Sequence, residues 1–257
     1  MPWGARSKKD VGASNLKFTA PTNMLTQGLV VFDYDWSLIN DDSDYFVFNQ
    51  LDPALHTELS DLLDSGAQWT KAVDATLAKL TCTKEKLINT VARVPVQPGM
   101  LDAIHLAHEK GWDVVIVSDA NTVFIHSMLE HHNLTSIVTQ VYTNPASFDG
   151  DILRVKPYYP LDKPAHGCPR CPSNMCKGSI VRNIRALKQY TKVLYVGDGK
   201  GDFCPASTEL TSHDVLFARE SYDLLDLIEA HQSQIKATVS LWNTGFDILA
   251  GFQAHLG

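Results

Sequence analysis

No run of about 18 apolar residues occurs in this 257-residue chain, so no stretch is long enough for a membrane-crossing helix. A basic excess is also missing: 22 Lys and Arg stand against 29 Asp and Glu, a net charge of −7. Nucleic-acid backbones select basic faces, so neither nucleic acid nor membrane is expected as a partner. The opening twenty residues, MPWGARSKKDVGASNLKFTA, have no apolar core and do not read as a secretory signal. They read as part of a flexible tail over residues 1–26. Arg6, Lys8 and Lys9, with Asp10 the lone acid, leave an organellar presequence as the alternative. Cysteine is sparse and odd in number: Cys82, Cys168, Cys171, Cys176 and Cys204. Without a signal sequence, that points to a reducing, cytoplasmic setting and to free or metal-bound thiols. Internal repeats and low-complexity segments are absent, and nothing in the sequence speaks to oligomeric state.

What is present is an ordinary globular composition, 44% hydrophobic and 20% charged. LVVF at 29–32 reads as a short buried strand. Residues 45–94 then switch to helical spacing: Leu51, Leu55, Leu59, Leu62 and Leu63 share one side, and Val73, Leu77, Leu80, Leu87, Ile88 and Val91 suggest two more helices. PVQPG at 95–99 punctuates this block. Strands and helices alternate afterwards. Met100 to Lys110 is an amphipathic helix closed by Gly111. DVVIVSDAN (113–121), SIVTQVYTN (136–144), KVLYVGDG (192–199) and DVLFAR (214–219) read as strands, with helices over 123–132 and 177–190. A Pro/Gly-rich stretch covers 145–176, and helical segments close the chain. This grammar predicts an α/β fold, a Rossmann-like parallel sheet flanked by helices.

Three of these strands end in polar clusters: Asp33 and Asp35; Ser118, Asp119 and Asn121; Gly197, Asp198, Gly199 and Asp202. In open parallel sheets ligands bind beyond the carboxyl ends of the strands, so three such ends meet in one crevice. Lys177 opens the helix before the third and reaches the same place. Paired aspartates make a hard oxygen site suited to Mg²⁺. Serine hydroxyl, lysine ammonium and loop N–H groups hold phosphate, and a carboxylate can attack phosphorus. Each cluster alone has an ordinary explanation as a cap, turn or surface residue. GDGKGD lacks the G-x-x-x-x-G-K-[ST] spacing of a Walker loop. The ordered conjunction carries the argument.

Those residues resemble the haloacid dehalogenase (HAD) superfamily. Its D-x-D-x-[T/S] motif is matched by Asp33-Tyr34-Asp35-Trp36-Ser37, its strand-end Ser or Thr by Ser118, its lysine by Lys177, and its G-D-x-x-x-D by Gly197 to Asp202. SDAN at 118–121, HGCPRCPSNMCKG at 166–178 and YVGDGKGDFCP at 195–205 are similar to a branch acting on phosphoethanolamine or phosphocholine. Relatives in that branch act on pyridoxal phosphate, thiamine monophosphate or pyrophosphate. The resemblance implies a Mg²⁺-dependent phosphomonoesterase with an aspartyl-phosphate intermediate and a small phosphorylated metabolite as substrate. Asp33 would be the nucleophile and Asp35 the acid/base, its carbonyl also on the metal. Ser118 and Lys177 would hold the phosphoryl group, and Asp198 would ligate Mg²⁺ beside Asp33. Asp202 would ligate or orient, and Ser37 would orient Asp33 through a hydrogen bond. Residues 27–44 and 95–257 would form the catalytic core, with 45–94 a small helical cap inserted after the first strand. Lys200 and Trp36 depart from the family pattern. A phosphotransferase such as a phosphomutase, or a non-catalytic binding module, are the competing classes.

Two features lie outside the shared motifs. Asp44 and Asp119 fall near the crevice, where extra carboxylates disfavour phosphate unless the substrate carries a cation such as choline or ethanolamine. The alternative is that Asp44 caps a helix and Asp119 sits at a helix start. His166, Cys168, Cys171 and Cys176 have spacing compatible with a structural Zn²⁺ site, the alternative being reduced thiols packing an ordered loop.

Overall fold

The computed structural model describes residues 28–160 and 166–257; the tail expected over 1–26 lies outside the described residues. The strands in chain order are β1 (Leu29–Phe32), β2 (Asp113–Asn121), β3 (Val138–Asn144), β4 (Ala146–Asp149), β5 (Ile152–Val155), β6 (Val193–Gly197), β7 (Val215–Arg219) and β8 (Thr238–Trp242). Six of them form one sheet in the order β3-β2-β1-β6-β7-β8, and every pair in it is parallel. β1 lies inside the sheet, which explains its unbroken apolar run: a strand covered on both faces has no polar side to alternate with. The expected Rossmann-like sheet is what forms.

The helices are α1 (Ser43–Leu51), α2 (Pro53–Asp64), α3 (Trp69–Leu77), α4 (Lys84–Val91), α5 (Met100–Glu109), α6 (Thr122–His131), α7 (Lys177–Leu187), α8 (Lys200–Thr208), α9 (Asp223–Ala230) and α10 (Gly245–His255). Alternate residues of each strand feed opposite faces. Val30, Phe32, Val114, Ile116 and Phe217 pack on one face with Met100, Ile104, Met128, Ile248 and Phe252 of α5, α6 and α10. Leu29, Val31, Val115, Val117 and Tyr195 pack on the other with Ile180, Ile184, Phe203, Leu224 and Ile228 of α7, α8 and α9.

α1 to α4 build a separate apolar cluster around Val47, Phe48, Leu59, Val73, Leu77 and Val91. It is not self-contained: Phe124 of α6 and Leu153 and Val155 of β5 complete it. The β4–β5 hairpin thus acts as a strut between the helical insertion and the core. Arg154 holds Asp74 of α3 through two hydrogen bonds, and Asp74 also accepts the Val155 N–H at 2.8 Å.

Two elements differ from the expectation. The hairpin falls in the stretch read as Pro/Gly-rich loop, although Asp149-Gly150 is a turn signal; Gly150 takes φ 61° there. β8 falls where only helices were expected. It is a sheet edge, paired only with β7, and mostly part-exposed, so its pattern is weak.

The register positions the chemistry. Phe32 lies opposite Ile116 of β2 and Val196 of β6. The next residues, Asp33, Val117-Ser118 and Gly197-Asp198, therefore emerge together at the carboxyl edge.

Candidate active site

Asp33 directly follows β1, and its N–H donates to the Val196 carbonyl at 2.9 Å, which anchors it to the neighbouring strand. The chain then kinks. Asp35 is extended, and Trp36 adopts φ 55°, a left-handed backbone that a bulky residue seldom takes. Outside contacts hold this turn: the Trp36 N–H donates to the Asp41 carbonyl at 3.0 Å, and the Arg219 guanidinium donates to the Trp36 carbonyl. Arg219, at the end of β7, also donates to Asn40 at 2.7 Å and stacks 4.5 Å from the Tyr222 ring and 5.0 Å from Trp242. Arg219 was not apparent from sequence, because nothing local marks an arginine that reaches across 183 residues.

Lys177 opens α7 and is buried, where it donates to Asp33 and, at 2.9 Å, to Asp202. Burial disfavours its ammonium, but the Asp202 and Asp33 carboxylates outweigh that and hold its pKa above the ordinary value. Asp202 has all its oxygens engaged. One accepts from Lys177 and from the Tyr195 hydroxyl at 2.7 Å; the other accepts the N–H groups of Asp198 and Gly199 at 3.1 and 3.0 Å. Of the two roles open to it, ligand or brace, this geometry is that of a brace.

Asp33, Asp198 and Asp202 offer oxygens within 4.8 Å of one another. Burial, then the neighbouring Asp202, pushes the Asp33 carboxyl well above its usual range, with Lys177 pulling the other way. Asp198 is pushed up to about 7, by burial first and Asp202 second. Buried carboxylates with too little positive charge around them are a receptor for a cation. Asp198 keeps one oxygen on the Ser37 hydroxyl at 2.7 Å, leaving the other for a ligand. Ser37 therefore orients Asp198, not Asp33 as expected. The kink at Trp36 turns the serine toward the end of β6.

Ser118, in the carboxyl-terminal half of β2, is buried, and its hydroxyl oxygen accepts the Ala120 N–H at 3.3 Å. Lys200 points away from the pocket: its side chain is 76% exposed and pairs with Asp223 at 3.6 Å.

A second acidic group adjoins the first. Asp35 accepts the Ser43 N–H at 2.8 Å, and its carboxyl is pushed up by burial and by Asp42 and Asp44. Asp44 is buried; one oxygen accepts from the Trp69 indole at 3.3 Å, and the other has no hydrogen-bond partner. Its carboxyl is likewise raised, by burial first and Asp42 second. Asp44 is not the helix cap: Asp42 caps α1, accepting the Tyr45 N–H at 3.0 Å. Nor does Asp119 start a helix, since Asn121 caps α6 at 3.0 Å. Instead Asp44 and Asp119 line one tight cleft between insertion and core, together with Trp69, Thr70, Asn121 and Asn144. Asp42 and Trp69 were missed; Asp42 lies in a run of acids where no single member stands out, and Trp69 is 25 residues from the carboxylate it meets. A larger surface cavity, lined by Phe46, Thr83, Lys86 and Arg93, lies elsewhere on the insertion.

The cysteine cluster is also rearranged. Cys168, Cys171 and Cys176 come together, but the fourth member is Cys204 of α8. His166 stands outside the group. Its Nδ1 accepts the Cys168 N–H at 3.1 Å, which leaves Nε2 to donate to the Pro172 carbonyl at 3.0 Å, so neither nitrogen is free. Cys204 escaped the spacing argument because it is 28 residues beyond Cys176.

Comparison with known proteins places this geometry in context. A family model described as "Putative Phosphatase" matches residues 28–256. The chain is 36% identical to inorganic pyrophosphatase 2 of Arabidopsis thaliana, covering 86% of this chain and 80% of that one. It is 34% identical to a thiamine phosphate phosphatase-like protein of the same plant, covering 84% and 90%. Among solved structures, a phosphoserine phosphatase in apo form aligns with a TM-score of 0.58 at 15% identity, covering 83% of this chain and 93% of that one, a likeness of fold.

Proposed function

The chain belongs to this phosphatase family of HAD type, and from that premise we propose that it is a Mg²⁺-dependent phosphomonoesterase acting through an aspartyl-phosphate on a small phosphate ester whose leaving group carries a cation, such as phosphocholine or phosphoethanolamine. One observation carries the choice of substrate class. Asp44 is a buried carboxyl with one oxygen that has no hydrogen-bond partner among the described residues, and it lines a tight cleft with Asp119 and Trp69. A buried unpaired charge is costly, and an ammonium against carboxylate and indole offsets that cost.

The donor set fits Mg²⁺: the hard carboxylate oxygens of Asp33 and Asp198 lie close together and would hold the ion, with the Asp35 carbonyl as the further ligand the resemblance implies. When bound, the ion would offset the negative charge of the phosphoryl group and the carboxylates around it. The chain's own groups do the rest. Lys177, in contact with the Asp33 carboxylate, reduces the repulsion between that nucleophile and an anionic substrate. Asp33 attacks phosphorus, and the P–O bond to the leaving group breaks. Asp35 donates a proton to the departing alkoxide, then takes one from the water that hydrolyses the aspartyl-phosphate. The Ser118 hydroxyl binds a phosphoryl oxygen. Asp202 keeps Lys177 aimed through its bond at 2.9 Å, and Arg219 keeps the kink at Trp36 closed. The helical insertion would serve as a cap that limits water at the phosphate site, its Trp69 meeting Asp44 where insertion and core join.

Pyrophosphate is the second reading, favoured by the 36% identity to the plant pyrophosphatase. It needs no cation pocket, so Asp44 and Asp119 would disfavour rather than bind it. Phosphate release from phosphocholine, phosphoethanolamine, pyridoxal phosphate, thiamine monophosphate and pyrophosphate, with Mg²⁺ and then with EDTA, tests the proposal. We expect phosphocholine or phosphoethanolamine to give the highest kcat/KM. Preference for pyrophosphate over every cationic ester refutes the substrate class, and transfer of phosphate to a second hydroxyl without release refutes the hydrolase.

A further inference from the structure

Cys168, Cys171, Cys176 and Cys204 bring four sulfurs within 4.8 Å of one another, and all are free thiols. Sγ of Cys204 is 3.7 Å from Sγ of Cys168 and 3.7 Å from Sγ of Cys176. A disulfide needs about 2.05 Å. Zinc bound tetrahedrally at about 2.3 Å to four sulfurs sets each pair about 3.8 Å apart. The cluster has the spacing of the second arrangement. We propose that these four thiolates hold a structural Zn²⁺ separate from the phosphatase centre.

Three of the ligands come from the segment before α7 and the fourth from α8. Cys176 caps α7 through its sulfur, which accepts the Ser179 N–H at 3.3 Å, and it directly precedes Lys177. Cys204 follows Asp202 by two residues. Between them the helices almost touch: a Cβ on Gly178 would lie 2.7 Å from Sγ of Cys204. The ion therefore cross-links α7 to α8 beside the point where Lys177 meets Asp202. It positions that pair and takes no part in phosphoryl transfer. Binding changes no oxidation state. Four thiols release four protons to solvent as Zn²⁺ enters, leaving a site of net charge −2. The Arg182 guanidinium of α7 lies within electrostatic reach of Cys176 and Cys204, but Glu209 already pairs with it through two hydrogen bonds, so it offsets little of that charge. His166 contributes no bond, since both its ring nitrogens are engaged.

Metal analysis of the full chain, purified without chelator or immobilised metal, tests this directly. About one zinc per chain is expected, and Cys204→Ser should lower it about tenfold or more after dialysis against a mild chelator. His166→Ala should keep its zinc. Because a cysteine variant can fail to fold, Co²⁺ loading of the unsubstituted protein supplies an independent reading: intense thiolate-to-cobalt absorption is expected, with the visible bands of a tetrahedral site. Three outcomes overturn the site. One is less than about a tenth of an equivalent of zinc with all five cysteines titratable as thiols. Another is a Cys168–Cys171 disulfide. The third is zinc that departs in Asp198→Asn but remains in Cys204→Ser, which would locate it at the carboxylates. The first two outcomes leave the proposed phosphatase chemistry standing; the third would also reopen which metal the carboxylates hold.

Discussion

Replacing Asp44 by Asn separates substrate recognition from stability, with opposite signs for the two. Asp44 is 3% exposed, and one oxygen has no hydrogen-bond partner. An uncompensated buried polar group costs about 1–3 kcal/mol. Its carboxyl is raised by burial and by Asp42, so the folded protein favours the protonated acid. A carboxyl raised in this way stabilises the fold below the pKa of the unfolded chain and loses that contribution as pH rises through the folded value. Asp44→Asn should therefore be more stable than the parent at pH 7.5, by about 2–4 °C in Tm for each kcal/mol recovered. The gain should shrink as the buffer approaches pH 4. Against substrate the sign reverses. A bound ammonium would displace the Asp44 proton, and two unit charges about 4 Å apart at an effective dielectric near 20 then attract by about 4 kcal/mol. Desolvation and the remaining Asp42 and Asp119 reduce the net loss to about 2 kcal/mol, or about 30-fold in kcat/KM. Phosphocholine and its uncharged isostere 3,3-dimethylbutyl phosphate should be compared by phosphate release, with melting followed by scanning fluorimetry. Equal losses on the two esters, or a variant less stable than the parent at pH 7.5, would refute the cation pocket.

Asp33→Asn should lower phosphate release by about 10⁴-fold or more while far-UV circular dichroism is unchanged; retained turnover would remove the nucleophile assignment. Lys177→Met leaves Asp33 and Asp202 as buried charges without their partner, so urea unfolding should show a loss of about 3–5 kcal/mol. A loss below about 1 kcal/mol would mean the ion pair is not formed in solution. Chelation with EDTA should abolish turnover and excess Mg²⁺ restore it, as read by phosphate release; EDTA-resistant activity would contradict the carboxylate site. A Cβ on Gly245 would meet the Met100 backbone nitrogen at 2.4 Å and the Pro98 carbonyl oxygen at 2.6 Å, where no side chain can yield. Gly245→Ala should destabilise by about 1–3 kcal/mol in the same unfolding assay by prising α10 from α5, and a neutral effect would show that packing to be loose.

What was legible in the sequence was written in local patterns. A strand buried on both faces must be apolar throughout, so LVVF and its companions announced the parallel sheet. Polar groups in such a sheet gather at the carboxyl ends of the strands, so the meeting of Asp33, Asp198 and Asp202 was readable from their places in the chain, and that of Lys177 from its place at a helix start. The same limit explains the errors. β8 is an edge strand whose half-exposed pattern does not stand out from a helical one. The resemblance implied a bond from Ser37 to Asp33; past the left-handed turn at Trp36 its hydroxyl instead meets Asp198, 161 residues away. His166 was grouped with Cys168 by proximity, while Cys204 completes the cluster from another helix. Arg219 over Trp36 and Trp69 on Asp44 likewise join residues with no sequence relation. Chain spacing determines which groups sit at an element's end, because backbone geometry is local. Which of them then share charge, a proton or a metal depends on how the helices and the insertion pack, and packing energy is summed over contacts that only the folded chain brings together.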